Sequence, residues 1–106
     1  MISFNDGKID RQGRFVTGTV DASLFREGAS DLVGRIEPPG QLYRLDTDLN
    51  ASAIADGIGA TNGPCFSTDG STFYCGDSWA RCIYAFDYDV ATGTATNRRL
   101  FTTFEG

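Results

Sequence analysis

The sequence predicts an all-β fold built from two similar four-stranded units. Short apolar segments of strand length are separated by turn residues throughout, as antiparallel β-structure requires. No window sustains the 3.6-residue period of an amphipathic helix, so almost no helix is expected. The chain also repeats itself. NDGKIDRQGRF at 5–15 and NGPCFSTDGSTF at 62–73 each begin with Asn near Gly, pass a turn, and enter a β-rich segment containing Gly. Those segments are FVTGTV at 15–20 and FYCGDS at 73–78, and each half then reaches a matching strand, QLYRLD at 41–46 and CIYAFD at 82–87.

Taken in order, strands are expected at 7–9, 14–20, 41–47 and 51–56 in the first unit, and at 64–67, 72–77, 82–88 and 97–104 in the second. Gln12-Gly13 and Asp69-Gly70 read as hairpin turns in which glycine supplies the positive φ. Ala91-Thr92-Gly93 is a further turn with Gly93 in that role. The units differ in one connection. Four residues (78–81) join the second and third strands of unit two, whereas roughly twenty (21–40), ending Glu37-Pro38-Pro39-Gly40, do so in unit one. Such a loop at one end of a β-scaffold is either a rim or lid element or a tolerated insertion.

Four short antiparallel strands in about 45–57 residues match one blade of a β-propeller. The expected division is a first blade at 1–60 with its loop at 21–40, and a second blade at 61–106. Blades pack face to face, so two by themselves leave both outer faces uncovered. A closed ring takes about four to eight blades. The chain is therefore read either as part of a larger propeller or as a unit that self-associates to close one.

Composition removes several function classes. Net charge is −5, and the only Lys and the eight Arg are scattered, which argues against a nucleic-acid partner. The absence of His excludes His-based general bases, Ser-His-Asp triads and His-ligated zinc within this chain. No apolar run approaches the ~20 residues of a membrane span, so no membrane partner is expected, and the first residues do not read as a signal peptide. Cys65, Cys75 and Cys82 are odd in number and fit no zinc spacing. Cys65 and Cys75 alternate with aromatics and read as small core residues. A Cys75–Cys82 bridge and an exposed reactive thiol are the alternatives. This usage suits a reducing, cytoplasmic compartment.

Particular residues then resemble a known family. Phe4-Asn5-Asp6-Gly7-Lys8, Asp10-Arg11-Gln12-Gly13-Arg14-Phe15 and Gly18-Thr19 are followed in order by 40–46, Asn62-Gly63, Phe66-Ser67, Asp69-Gly70, Phe73-Tyr74, Asp77-Ser78, 85–89, Thr92-Gly93 and Asn97-Arg98-Arg99. The string resembles the senescence marker protein-30/gluconolactonase, or regucalcin-like, family over nearly the whole chain. The resemblance implies a six-bladed β-propeller that hydrolyses sugar or other small lactones. It also implies a divalent metal at the channel mouth, Ca²⁺ first, with Zn²⁺, Mg²⁺ or Mn²⁺ as other candidates.

In that family the ion is held by a Glu near the N-terminus, an Asn opening a middle blade and an Asp opening the next, the Asp also serving as general base. The Asn corresponds to Asn62; the two acids correspond to no residue here, so no catalytic residue is assigned within the chain. Asn5 matches a residue that touches the sugar-like ligand. Ser3 stands where the family often has Arg, and Asp21 and Ser23 fall where it supplies rim contacts.

Each assignment has a plainer counterpart. An Asn amide oxygen suits a hard cation, but Ca²⁺ wants about six to eight oxygens, and an Asn also caps turns. Asp6 reads as a residue orienting a ligand or Lys8, or as a solvated turn acid. Asp69, Asp77, Asp87 and Asp89 read as turn and strand-end acids. Trp79 either stacks on a ligand or packs against the neighbouring blade. The functional expectation is a portion of a metal-dependent lactonase. The alternatives are a non-catalytic propeller module that binds metal or sugar or self-assembles, three copies closing one ring, and a calcium-responsive regulator.

Overall fold

The computed structural model of the chain describes residues 2–21 and 40–104. They form eight strands: β1 (Ile2–Ile9), β2 (Phe15–Asp21), β3 (Gln41–Leu45), β4 (Ala51–Asp56), β5 (Thr61–Phe66), β6 (Thr72–Asp77), β7 (Cys82–Asp89) and β8 (Thr94–Thr103). Two four-stranded sheets result, β1-β2-β3-β4 and β5-β6-β7-β8, each antiparallel throughout. The expected all-β architecture of propeller blades is present. The expected loop at 21–40 lies almost wholly outside the described residues.

Three strands begin earlier than the sequence predicts: β1 by five residues, β5 by three and β8 by three. In β1 and β5 the cause is a bulge. Phe4 pairs with Thr19 and Gly7 with Thr17, so Asn5 and Asp6 together oppose one residue, Gly18. Asn62 pairs with Gly76 and Cys65 with Tyr74, so Gly63 and Pro64 oppose Cys75. Asn, Asp, Gly and Pro are poor strand residues, and they conceal pairing that a bulge allows.

The two sheets pack face to face through period-2 alternation. In β6, Phe73, Cys75 and Asp77 are buried while Thr72, Tyr74 and Gly76 are partly exposed. The core is Val16 and Leu42 from the first sheet, Phe73, Cys75, Phe86 and Tyr88 from the second, and Ile58 from the connection between them. Phe66 extends it, with ring centroids 4.9 Å from both Phe73 and Tyr88.

A polar latch holds one end of the seam. Tyr88 Oη donates to Asp10 Oδ2 at 2.6 Å, and Arg14 pairs with the same oxygen at 3.0 Å. Arg14 also reaches Val90 O and Ala91 O at 2.8 and 2.7 Å, and Arg44 Nη1 reaches Gly93 O at 2.7 Å. Burial raises the Tyr88 hydroxyl above its ordinary range, and the Asp10 carboxylate adds to this. Burial pushes the Asp10 carboxyl up, but hydrogen bonds from Tyr88, Arg14 and Gln12 outweigh it and hold Asp10 below its usual value.

Each sheet leaves its other face exposed. Phe4, Phe15, Tyr43 and Leu45 line a groove of about 530 Å³ on the first sheet. Cys65, Tyr74, Ile83, Phe101 and Phe104 line one of about 460 Å³ on the second. Cys65 therefore corrects the expectation of a core thiol, because its strand position faces away from the blade–blade seam. The Cys75–Cys82 bridge is also absent. Cys75 stands opposite Tyr84 and Cys82 opposite Asp77 in the β6–β7 ladder, and all three thiols are free.

Candidate functional site

β1 and β5 are the first strands of their sheets and lie beside one another. Each carries its asparagine at its bulge, which is a device for re-aiming a side chain out of the ladder. The close approach of the strands depends on Gly18. A Cβ placed there would lie 1.8 Å from Thr61 Oγ1 and 2.3 Å from Thr61 Cβ. Thr61 is fully buried, and its hydroxyl has no hydrogen-bond partner among the described residues.

Asn62 is exposed, and its Nδ2 donates to Ser78 Oγ at 3.3 Å. Its amide oxygen accepts no hydrogen bond among the described residues, and its side chain does not cap a turn. Asn5 differs. Its Nδ2 donates across the seam to Thr61 O at 2.7 Å. Asp6 does not contact Lys8. Its carboxylate accepts from Gly7 N at 2.9 Å and from Gly63 N, in the neighbouring blade, at 2.9 Å. Gly63 has φ +57°, a left-handed conformation that glycine adopts without steric cost.

Ser3 lies in β1 two residues before Asn5, paired with Val20, and is exposed. Ser23 lies outside the described residues, and Asp21 is placed only as the end of β2. The structure thus brings Asn5, Asp6 and Asn62 together at one seam and sets Ser3 on the strand leading to it. Among the described residues no three His, Cys, Asp or Glu side chains form a metal cage. Asn62 offers one neutral hard oxygen, which fits a Ca²⁺-type ion as a single ligand within a larger set.

Two contributors were not legible as such. Asp77 is fully buried and accepts from Gly59 N, Ala60 N and Trp79 N at 3.0 Å and from Ala80 N at 3.3 Å. It ends β6 as expected of a strand-end acid, and it is a buried anchor that fixes the connection leading into Thr61 and Asn62. The available signal was its place in the buried register of β6, two residues beyond Cys75. Ser78, the hydroxyl beside Asn62, follows it directly. Asp69 meets expectation as a turn acid: the Ser71 N–H and the Ser71 and Ser67 hydroxyls lower its carboxyl to about 2. Asp87 and Asp89 likewise serve local turn and strand-end bonds. Trp79 is 4% exposed and packs on Gly59, so it is not a ligand platform.

Face-packed antiparallel blades, with bulged first strands side by side, define a segment of a β-propeller. The sequence profile of the SMP-30/Gluconolactonase/LRE-like region matches residues 1–106, and the chain belongs to that family. Regucalcin of Oryctolagus cuniculus is 40% identical over 96 residues, covering 91% of this chain and 30% of that protein. Pentonolactonase XacC of Haloferax volcanii is 36% identical over 98 residues, 92% of this chain and 29% of its own length. A solved luciferin-regenerating enzyme superposes with a TM-score of 0.79 at 33% identity, covering 97% of this chain and 31% of that one. The chain spans about 30% of the length of the curated relatives it matches.

Proposed function

We propose that these blades form part of a divalent-metal-dependent lactonase acting on sugar or other small lactones. The observation that carries the reading is Asn62, exposed beside a bulge on a first strand, its amide oxygen accepting no hydrogen bond among the described residues. The family membership and the pentonolactonase relative support it. Ca²⁺ is the preferred ion because its hard-oxygen chemistry accepts an amide carbonyl among carboxylates. Mg²⁺, Mn²⁺ and Zn²⁺ are the competitors. Such an ion, held in part by Asn62, would supply Lewis-acid polarisation of a lactone carbonyl.

The chain's own residues supply positioning. Asn62 would present one ligand oxygen. Asn5, with its N–H committed to Thr61 O, keeps its amide oxygen for a substrate hydroxyl. Ser3 adds a hydroxyl two residues away. We assign no general base here, since Asp6 and Asp77 are each committed to backbone N–H groups. The three free thiols favour the reducing, cytoplasmic setting.

The test is acid release from gluconolactone and pentonolactones by the full-length protein, titrated with Ca²⁺. Asn62→Ala should weaken metal affinity on the order of tenfold or more. Unchanged affinity would remove Asn62 from the site. A second reading, self-association through the two apolar outer faces, draws on their grooves, and a monomeric mass in solution would sink it.

A further inference from the structure

Asn62 is flanked by two backbone groups that are both gripped from the other blade. Thr61 O, before it, accepts from Asn5 Nδ2 at 2.7 Å; Gly63 N, after it, donates to Asp6 Oδ2 at 2.9 Å. Both grips come from the bulge of β1; one closes on Thr61, beside the bulge of β5, and the other on Gly63, inside it. Thr61 and Asn62 keep ladder partners in Asp77 and Gly76, but Gly63, directly after Asn62, lies outside regular pairing and needs another partner to hold one conformation.

Gly63 makes this need acute. At φ +57° its conformation is one of several open to glycine, and beyond its chain neighbours no atom lies within 4 Å of where a Cβ would be. The hydrogen bond from its N–H to Asp6 restricts that choice. The repeat sharpens the contrast, because the second blade's counterpart of Asp6 is Gly63 itself, which has no carboxylate to extend. Asn5 commits its Nδ2 to the brace across the seam, and Asn62 commits its Nδ2 to Ser78 in its own blade.

We propose that Asp6 is a positioning residue that fixes the aim of Asn62 by holding the Gly63 N–H across the blade seam. The proposal rests on the ligand reading of Asn62. Asp6 acts as a hydrogen-bond acceptor, not as a source of charge at the ion. A group that acts through a ligand's supports costs about 10–100-fold in metal affinity when removed.

The experiment compares Asp6→Ala, Asp6→Asn and Asn62→Ala in the full-length protein. Ca²⁺ affinity is measured by calorimetry, and exchange of the Gly63 amide by NMR without metal. In Asp6→Ala, affinity should fall about tenfold, and Gly63 exchange should quicken by about the same factor as one hydrogen bond is lost. Asp6→Asn keeps one acceptor oxygen, which can serve Gly63 N only by giving up Gly7 N, and should restore part of both. Unchanged Gly63 exchange in Asp6→Ala overturns the brace. Equal loss of affinity in Asp6→Asn and Asp6→Ala, with Gly63 exchange restored in Asp6→Asn, also overturns it, since charge would then be the cause. So does an Asp6→Ala protein that binds Ca²⁺ normally while Asn62→Ala does not. If Asn62→Ala itself binds normally, the ligand reading fails, and the brace stands or falls on Gly63 exchange.

Discussion

Removing the Asp10 carboxylate should loosen the blade–blade seam more than any other single polar change. Its side chain is fully buried. It accepts from Gln12 N at 2.8 Å, Arg14 N at 2.9 Å, Arg14 Nη1 at 3.0 Å and Tyr88 Oη at 2.6 Å. Asp10→Ala removes the acceptor from Gln12 N, Arg14 N and Tyr88 Oη and the nearest carboxylate from Arg14. Breaking one side of a buried ion pair costs about 3–5 kcal/mol. Arg14 keeps the Val90 and Ala91 carbonyls, which places the expected loss near the lower end, about 3 kcal/mol. Tyr88→Phe removes a single bond to a charged acceptor and should cost about 1.5–3 kcal/mol. The double variant should lose less than the sum by about 1–2 kcal/mol, because the shared bond is counted twice in the single changes. Equilibrium urea unfolding of the four proteins measures the cycle.

The pH dependence has a definite sign. The folded-state pKa of Asp10 lies below its ordinary 3.8. Its contribution is therefore full above 3.8 and disappears as pH falls through the lower folded value. The gap between the native protein and Asp10→Ala should shrink accordingly on acidification. Tyr88 behaves in the opposite sense. Its hydroxyl is raised above 10, so its contribution is present below 10 and is lost as pH rises through the folded value. Strict additivity of the two substitutions, or an Asp10→Ala cost below about 1 kcal/mol, would refute the latch.

Other consequences follow from single positions. Gly18→Ala must drive β2 from Thr61 by more than an ångström to turn a 1.8 Å approach into ordinary contact; a loss of about 1–3 kcal/mol is expected in urea unfolding, and an unchanged midpoint would show that the strands are not closely apposed. Phe73→Ala empties the centre of the seam and should cost about 3–5 kcal/mol; a loss under 1 kcal/mol would mean the core collapses around it. Iodoacetamide should modify Cys65 alone in the folded 106-residue chain, because Cys82 is buried and burial pushes the Cys75 thiol up to about 12. Mass spectrometry showing two or three adducts without denaturant would contradict this. The Asp69 carboxyl should titrate near pH 2 in carbon NMR, and a midpoint at the ordinary 3.8 would mean that the Ser67–Ser71 turn is open in solution.

Much of the fold is written locally. Alternation in 72–77 and turn chemistry at Gly13, Gly70 and Gly93 are properties of neighbouring residues, and all three glycines carry the positive φ their turns need. Strand starts at the bulges escaped this reading because Asn5-Asp6 and Asn62-Gly63-Pro64 have the composition of turns while they pair as strand. Cys65 escaped it for another reason. An alternating pattern shows that a strand has two faces, but not which face meets a neighbouring blade.

The same boundary runs through the site. The repeat alone establishes that Asn5 and Asn62 are equivalent and stand on corresponding strands. Tertiary structure decides that their partners differ. Asn5 donates to a carbonyl 56 residues away, in the other blade, and Asn62 to the Ser78 hydroxyl of its own blade. Asp6 finds its partner 57 residues on, and Tyr88 reaches back 78 residues to Asp10. Such bonds depend on how two sheets are set against each other, and that setting comes from the packing of Val16, Leu42, Phe73 and Phe86, not from any pattern within a strand.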